Sequence, residues 1–170
     1  MREEAFEAAV MLYKDRVHAY ATLMLRDRTE AQDIAQEALV RLWEHREQVR
    51  EDGARLWLMR TVRNLCIDRI RKVRVRSEVD EGDAVVEAEA ASTPSPEKLT
   101  ESGELGRQIE IALAALSLQD RSVLVMREVQ GLPYDEIAEV LEVPLGTLKA
   151  RLHRARERLR ARLGRAGVGV

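Results

Sequence analysis

The side chains best suited to chemistry lie between Thr147 and Arg165, where eight Lys and Arg face a single Glu and leave a net charge of +7. Leu148, Leu152, Ala155, Leu159 and Leu163 recur there at helical spacing, so an apolar stripe fixes the buried face. Thr147, Ala150, His153 and Arg154 fall on the side away from it, near the helix start. Hydroxyl, imidazole and guanidinium groups around a small alanine suit contacts to base edges in a major groove, and the arginines farther along suit phosphates. A second set follows the same logic. Arg60, Asn64, Asp68 and Arg71 stand at steps of four, four and three. An amide between guanidiniums offers a base both a donor and an acceptor, with cations beside it for phosphates. Asp33, Gln36 and Glu37 make a third polar group, which by itself reads as a solvated helix face.

No constellation for catalysis or metal binding emerges. His18, His45 and His153 are not at ligand spacing with one another, and Asp15 and His18 form an unsupported pair. Neither a phosphate-binding loop nor a nucleophile with its base occurs. The expectation is a chain that is not an enzyme and holds no cofactor and no metal. Cys66 is the single cysteine and stands at helical spacing from Val62 and Ile70, so it reads as a small core residue.

The elements that must position these groups are legible as periodic segments. With 45% apolar residues and 4% aromatic, the composition favours helices over sheets. Phe6, Val10, Tyr13, Val17, Tyr20 and Met24 define one seam of a helix over 3–26. Thr29 with Gln32 fits a capping box for a second helix over about 30–48 that buries Ile34, Ala38 and Leu42. A polar loop over 47–53 follows, with Asp52 as a plausible cap for a third helix over 54–75. That helix turns Leu58, Val62, Leu65, Cys66 and Val73 inward, keeps Trp57 in the core, and aims Arg69 at an inward carboxylate. Leu105, Ile109, Ala112, Leu113 and Leu116 predict a fourth helix. Ser117 with Asp120 caps a fifth, which carries Val123, Leu124, Met126 and Val129 and ends at Gly131. Pro133 opens a short helix with Ile137, Ala138 and Leu141 inward, and the turn at Glu142, Val143 and Pro144 starts the basic helix near Leu145. A short helix, a tight turn and a basic helix make a helix-turn-helix.

Charge is segregated along the chain, so the total of −2 misleads. Residues 55–76 carry +7, residues 77–104 carry −8, and residues 147–170 carry +7. Two candidate sites for a polyanion are therefore separated by an acidic stretch. Residues 77–101, rich in acids and small residues and containing TPSP, read as a flexible linker. The expected fold is all-α, with two small helical domains joined by that linker. Domain limits fall at 1–76, 77–101 and 102–170, with the helix-turn-helix in the last. No run of eighteen apolar residues and no secretion signal occurs, so neither a membrane partner nor export is expected and the location reads as cytoplasmic.

Taken together, TEAQDIAQEALVRLWEH, WLMRTVRNLCIDRIRK and ALSLQDRSVLVMREVQGLPYDEIAEVLEVPLGTLKARLHRARERL, in that order, resemble the extracytoplasmic-function (group IV) sigma factors of bacterial RNA polymerase. The resemblance spans nearly the whole chain. It implies an N-terminal domain that docks on the β′ clamp helices of core RNA polymerase through Asp33, Gln36 and Glu37, and so overturns the solvated-face reading of those residues. It also implies that the loop from Gln48 to Ala54, with Arg60, Asn64 and Arg71, holds the unpaired non-template strand of the promoter −10 element. The C-terminal domain would sit on the β flap and read the −35 element as duplex, with Thr147, Lys149, Ala150, Arg151, His153 and Arg154 at the recognition segment. Core polymerase and promoter DNA are the implied partners, with an anti-sigma factor as a further one. Glu142 stands where the family usually has Gly, which predicts a strained or altered turn. Ser117 stands where the family commonly has Pro, and a capping serine can replace it. The rival expectation is a stand-alone helix-turn-helix transcriptional regulator, which leaves the second basic helix unexplained.

Overall fold

The computed structural model describes residues 1–80, 98–165 and 167, with the backbone alone at 78–80 and 98–102. Most of the expected linker lies outside the described residues. All the described elements are helical: α1 (Glu3–Leu25), α2 (Arg28–Glu44), a 3-10 turn (Glu51–Gly53), α3 (Ala54–Asp80), α4 (Lys98–Ala114), α5 (Leu118–Leu124) running into a π turn (Val125–Val129), α6 (Tyr134–Leu141) and α7 (Leu145–Arg165). The all-α expectation holds.

The first three helices pack against one another along the predicted faces. Val17, Tyr20 and Met24 of α1 meet Ile34, Ala38 and Leu42 of α2 and Leu58, Val62 and Cys66 of α3 in one buried cluster. Two local expectations change. The cap of α2 is Asp27, whose side chain accepts from the Glu30 amide at 3.0 Å, because α2 begins before Thr29 and leaves no free amide for a capping box there. Asp52 does not cap α3, because the chain enters α3 through the 3-10 turn and Asp52 pairs with Arg50 at 3.2 Å. The inner face of α3 also ends early. Val73 is 53% exposed, since α3 runs on past the other described helices there. Arg69 finds the carboxylate expected of it, Glu30 on α2.

In the second half, Ser117 caps α5 by accepting from the Asp120 amide at 3.1 Å, as its spacing predicts. Val129 is 52% exposed, because the π turn rotates it off the buried face of α5 before Gly131 closes the segment at φ 67°. Ile137, Ala138 and Val140 of α6 pack with Leu148, Leu152 and Ala155 of α7. The turn between them is a Schellman closure: the Val143 amide donates to Ala138 O at 3.1 Å and the Glu142 amide to Glu139 O at 3.2 Å. That closure needs a left-handed residue. Glu142 supplies it at φ 56°, the strained turn that its replacement of glycine predicts.

The two halves do not stand apart. Buried residues of α1 and α3 form one continuous apolar cluster with those of α5, α6 and α7. Polar fastenings cross the seam as well. Tyr20 Oη and Ser122 Oγ share a hydrogen bond at 2.7 Å, and Gln130 Nε2 donates to Arg16 O at 3.1 Å. Arg121 is buried, and among the described residues its side-chain hydrogen bonds go to backbone carbonyls. Its guanidinium donates to Met24 O at 2.6 Å at the end of α1, and to Leu113 O at 3.0 Å and Ala114 O at 2.9 Å at the end of α4. Two helix C-termini thus share one cation, which offsets the negative ends of both dipoles. Burial pulls its pKa down to about 10, still high enough to keep it charged at neutral pH.

Candidate nucleic-acid and polymerase interface

Three surfaces carry the groups singled out from the sequence. On α2, burial of Ile34, Ala35, Ala38 and Leu42 forces Asp33 and Gln36 outward as exposed residues. Glu37 is half-buried and pairs with Arg41 one turn on at 2.6 Å. Val40 is 55% exposed beside these residues, an apolar member of the same face that charge patterning alone does not pick out. The surface offers acids around an apolar centre, which suits a basic helical partner.

On α3, Arg60, Asn64 and Arg71 share one face but differ in state. Asn64 and Arg71 are exposed, and Asn64 Oδ1 accepts from Arg63 Nη1 at 3.2 Å. The Asn64 amide nitrogen is left to donate outward. Arg60 is not free: its Nη2 donates to Glu139 O of α6 at 2.9 Å. One turn and a residue earlier, Arg55 pairs with the Glu136 carboxylate of α6 through both oxygens. The expected strand-holding face is therefore met by the helix-turn-helix itself. Arg55 was not among the expected site residues, and the only sequence signal for it was its membership of the +7 stretch.

The loop expected to complete that face, Gln48 to Ala54, lies between α2 and α3, with Val49 and Ala54 buried as its anchors. Beside it Arg46 stacks on Trp43 at 3.9 Å and Phe6 meets Trp43 edge-on at 5.0 Å. Trp57 is half-buried and packs on the core, with His45 tilted against it at 5.8 Å. An aromatic and cationic rim of this kind offers faces on which a base can stack.

On α7, burial of Leu148, Leu152 and Ala155 leaves Thr147, Lys149, Ala150, His153 and Arg154 exposed and Arg151 half-buried. His153 Nε2 lies 3.3 Å from Glu157, a pair of adjacent turns on the outer face. The expectation that the later arginines are free for phosphates is corrected for two of them. Arg156 donates to Glu128 at 2.7 Å and to Tyr134 Oη at 3.4 Å, and Arg158 donates to the buried Asp120 at 2.5 Å. Both bind α7 to its own bundle, because Asp120 and Glu128 flank the α5 segment on which α7 packs. Arg160, Arg162 and Arg165 remain exposed. Among the described residues, no helix is long and apolar enough to cross a membrane.

Comparison with known proteins agrees with this layout. Residues 9–76 match the family model for sigma-70 region 2, and residues 106–159 that for sigma-70 region 4. The chain is 35% identical over 168 residues to the ECF RNA polymerase sigma factor SigW of Bacillus subtilis, covering 95% of this chain and 90% of that one. It is 36% identical over 171 residues to the ECF RNA polymerase sigma factor SigL of Mycobacterium tuberculosis, covering 96% and 94%. Among solved structures it resembles the sigma factor RpoE from Bartonella quintana in complex with the anti-sigma factor NepR, with a TM-score of 0.75 and 26% identity over 94% of this chain and 96% of that one. The fold is also that of CnrH, solved with the cytosolic domain of CnrY, with a TM-score of 0.73 and 21% identity over 96% and 90%.

Proposed function

The chain belongs to the extracytoplasmic-function RNA polymerase sigma factors, and from that premise we propose how its own residues divide the work of promoter-specific initiation. Asp33, Gln36 and Glu37, with Val40 at their centre, meet the β′ clamp helices of core polymerase. Arg60, Asn64 and Arg71 hold the unpaired non-template strand at the −10 element, where extruding a base costs a few kcal/mol that stacking and phosphate contacts must offset. Thr147, Lys149, Ala150, Arg151, His153 and Arg154 read the −35 duplex in the major groove. The observation that carries this reading is the presence of two separate cationic helices, α3 and α7, one with an exposed amide among its arginines and the other with a small-residue face at its start. A stand-alone regulator would need only the second.

The protein acts as an initiation factor rather than as a catalyst, and its place is with polymerase in the cytoplasm. An anti-sigma factor is a fitting further partner, since RpoE from Bartonella quintana was solved with one. Run-off transcription tests the assignment: core polymerase with this chain should yield a discrete transcript from its promoter, and core alone none. Duplex promoter binding of equal strength and footprint without core would point instead to a regulator.

A further inference from the structure

α6 meets α3 with its acidic side. The Glu136 carboxylate takes both of its contacts from Arg55, and Glu139 offers its carbonyl to Arg60. Both guanidiniums belong to the +7 stretch of residues 55–76, and Arg60 is among the residues assigned above to the unpaired strand. Arg60 is only partly used there, since its Nε is buried without an acceptor among the described residues. Carboxylate, carbonyl and phosphate all present acceptor oxygens: here Arg55 Nη2 meets both oxygens of Glu136 and Arg60 Nη2 meets one carbonyl, and phosphate oxygens can take the same donors. A phosphodiester and the α6 surface therefore ask for the same groups in the same place.

We propose that α6 is an internal substitute for the DNA backbone: docking of the C-terminal half and capture of single-stranded DNA are mutually exclusive, because both require Arg55 and Arg60. This rests on the reading of α3 as the strand-holding face. The shared apolar cluster makes the docked arrangement the ground state of the free chain. The polar fastenings make parting reversible, because Tyr20, Ser122, Gln130 and the Met24 carbonyl can all exchange their partners for water. The Arg55–Glu136 pair is itself partly exposed, at 32% and 23%, so it is weak enough for several phosphates acting together to displace it. The outer face of α7 stays exposed in the docked state. The free chain can thus offer its duplex-reading surface while withholding its strand-holding one.

Fluorescence anisotropy of the full chain with a short labelled oligothymidylate tests this. Arg60→Ala should weaken binding. Glu136→Gln should tighten it about two- to fivefold, the range expected from releasing one partly exposed pair. Asp135→Asn removes the same charge from an exposed position on α6 and should change little. Small-angle scattering should show the wild-type chain expanding when the oligonucleotide saturates it. Equal tightening by Glu136→Gln and Asp135→Asn would reduce the effect to net charge and overturn the proposal, as would binding without expansion. No tightening by Glu136→Gln, with Arg60→Ala still weakening, would remove the competition and leave the strand-holding face intact. Unchanged binding by Arg60→Ala would remove that reading and the competition with it.

Discussion

Arg154 and Cys66 show two fates of a reactive side chain on a helix. Arg154 is exposed one turn after Ala150, where a small residue lets the helix approach a groove. Arg154→Ala should cost about 1–3 kcal/mol of −35 duplex binding if the contact is to a base edge, with core affinity unchanged. Competition binding on duplexes altered at single positions checks both parts. Cys66 is fully buried, and burial pushes its thiol up to about 12 from an ordinary value of 9.0. Burial raises Tyr20 as well. A folded state that holds these protons more tightly than the unfolded chain contributes stability that is present below about pH 9 and lost as pH rises toward 12. Denaturant midpoints should therefore fall between pH 9 and 11, and Cys66→Ala should flatten that slope even if its absolute stability is lower. An equal slope in the variant would assign the alkaline loss to other groups.

At the scale of the element, the turn between α6 and α7 sets the angle at which the recognition helix is presented. A non-glycine residue in the left-handed region costs about 1–2 kcal/mol, while glycine itself loses about 0.5–1 kcal/mol in chain entropy. Glu142→Gly should therefore stabilise the protein by about 1 kcal/mol, raising the melting temperature by about 2–4 °C. It also removes an acid three residues before the basic helix begins, so duplex affinity should rise slightly at low salt and converge with wild type at high salt. A lower melting temperature would show that the Glu142 side chain makes a compensating contact.

For the whole molecule, one seam joins the halves that carry the α3 and α7 surfaces. The α2 face is separate from that seam, so core binding should respond to α2 alone. Asp33→Arg introduces a cation at a surface expected to meet a basic region and should weaken association with core polymerase about tenfold or more, before any DNA is added. Duplex binding by α7 should be untouched. Normal core affinity in this variant, measured by anisotropy against purified core, would move the docking site off α2.

The sequence by itself determined the helices, because apolar residues at steps of three and four leave only one face to bury. It determined the outward placement of the α7 residues proposed for recognition and of Asp33 and Gln36 on α2, since a residue opposite a buried stripe has nowhere to point but outward. It also determined that the helix closes near Glu142, because a proline stands two residues on, whereas the left-handed residue at Glu142 followed only from the family's usual glycine there. Only the tertiary structure decided which charges are spent. Arg156 and Arg158 look identical to Arg160 and Arg162 in the sequence, yet the first two face Glu128 and Asp120 from another helix. Arg60 looks free beside Asn64, yet α6 arrives from seventy-odd residues away to take one of its donors. Periodicity reports which side of a helix is wet. Which partner stands on that side depends on contacts between residues far apart in the chain, and these are fixed only when the helices pack.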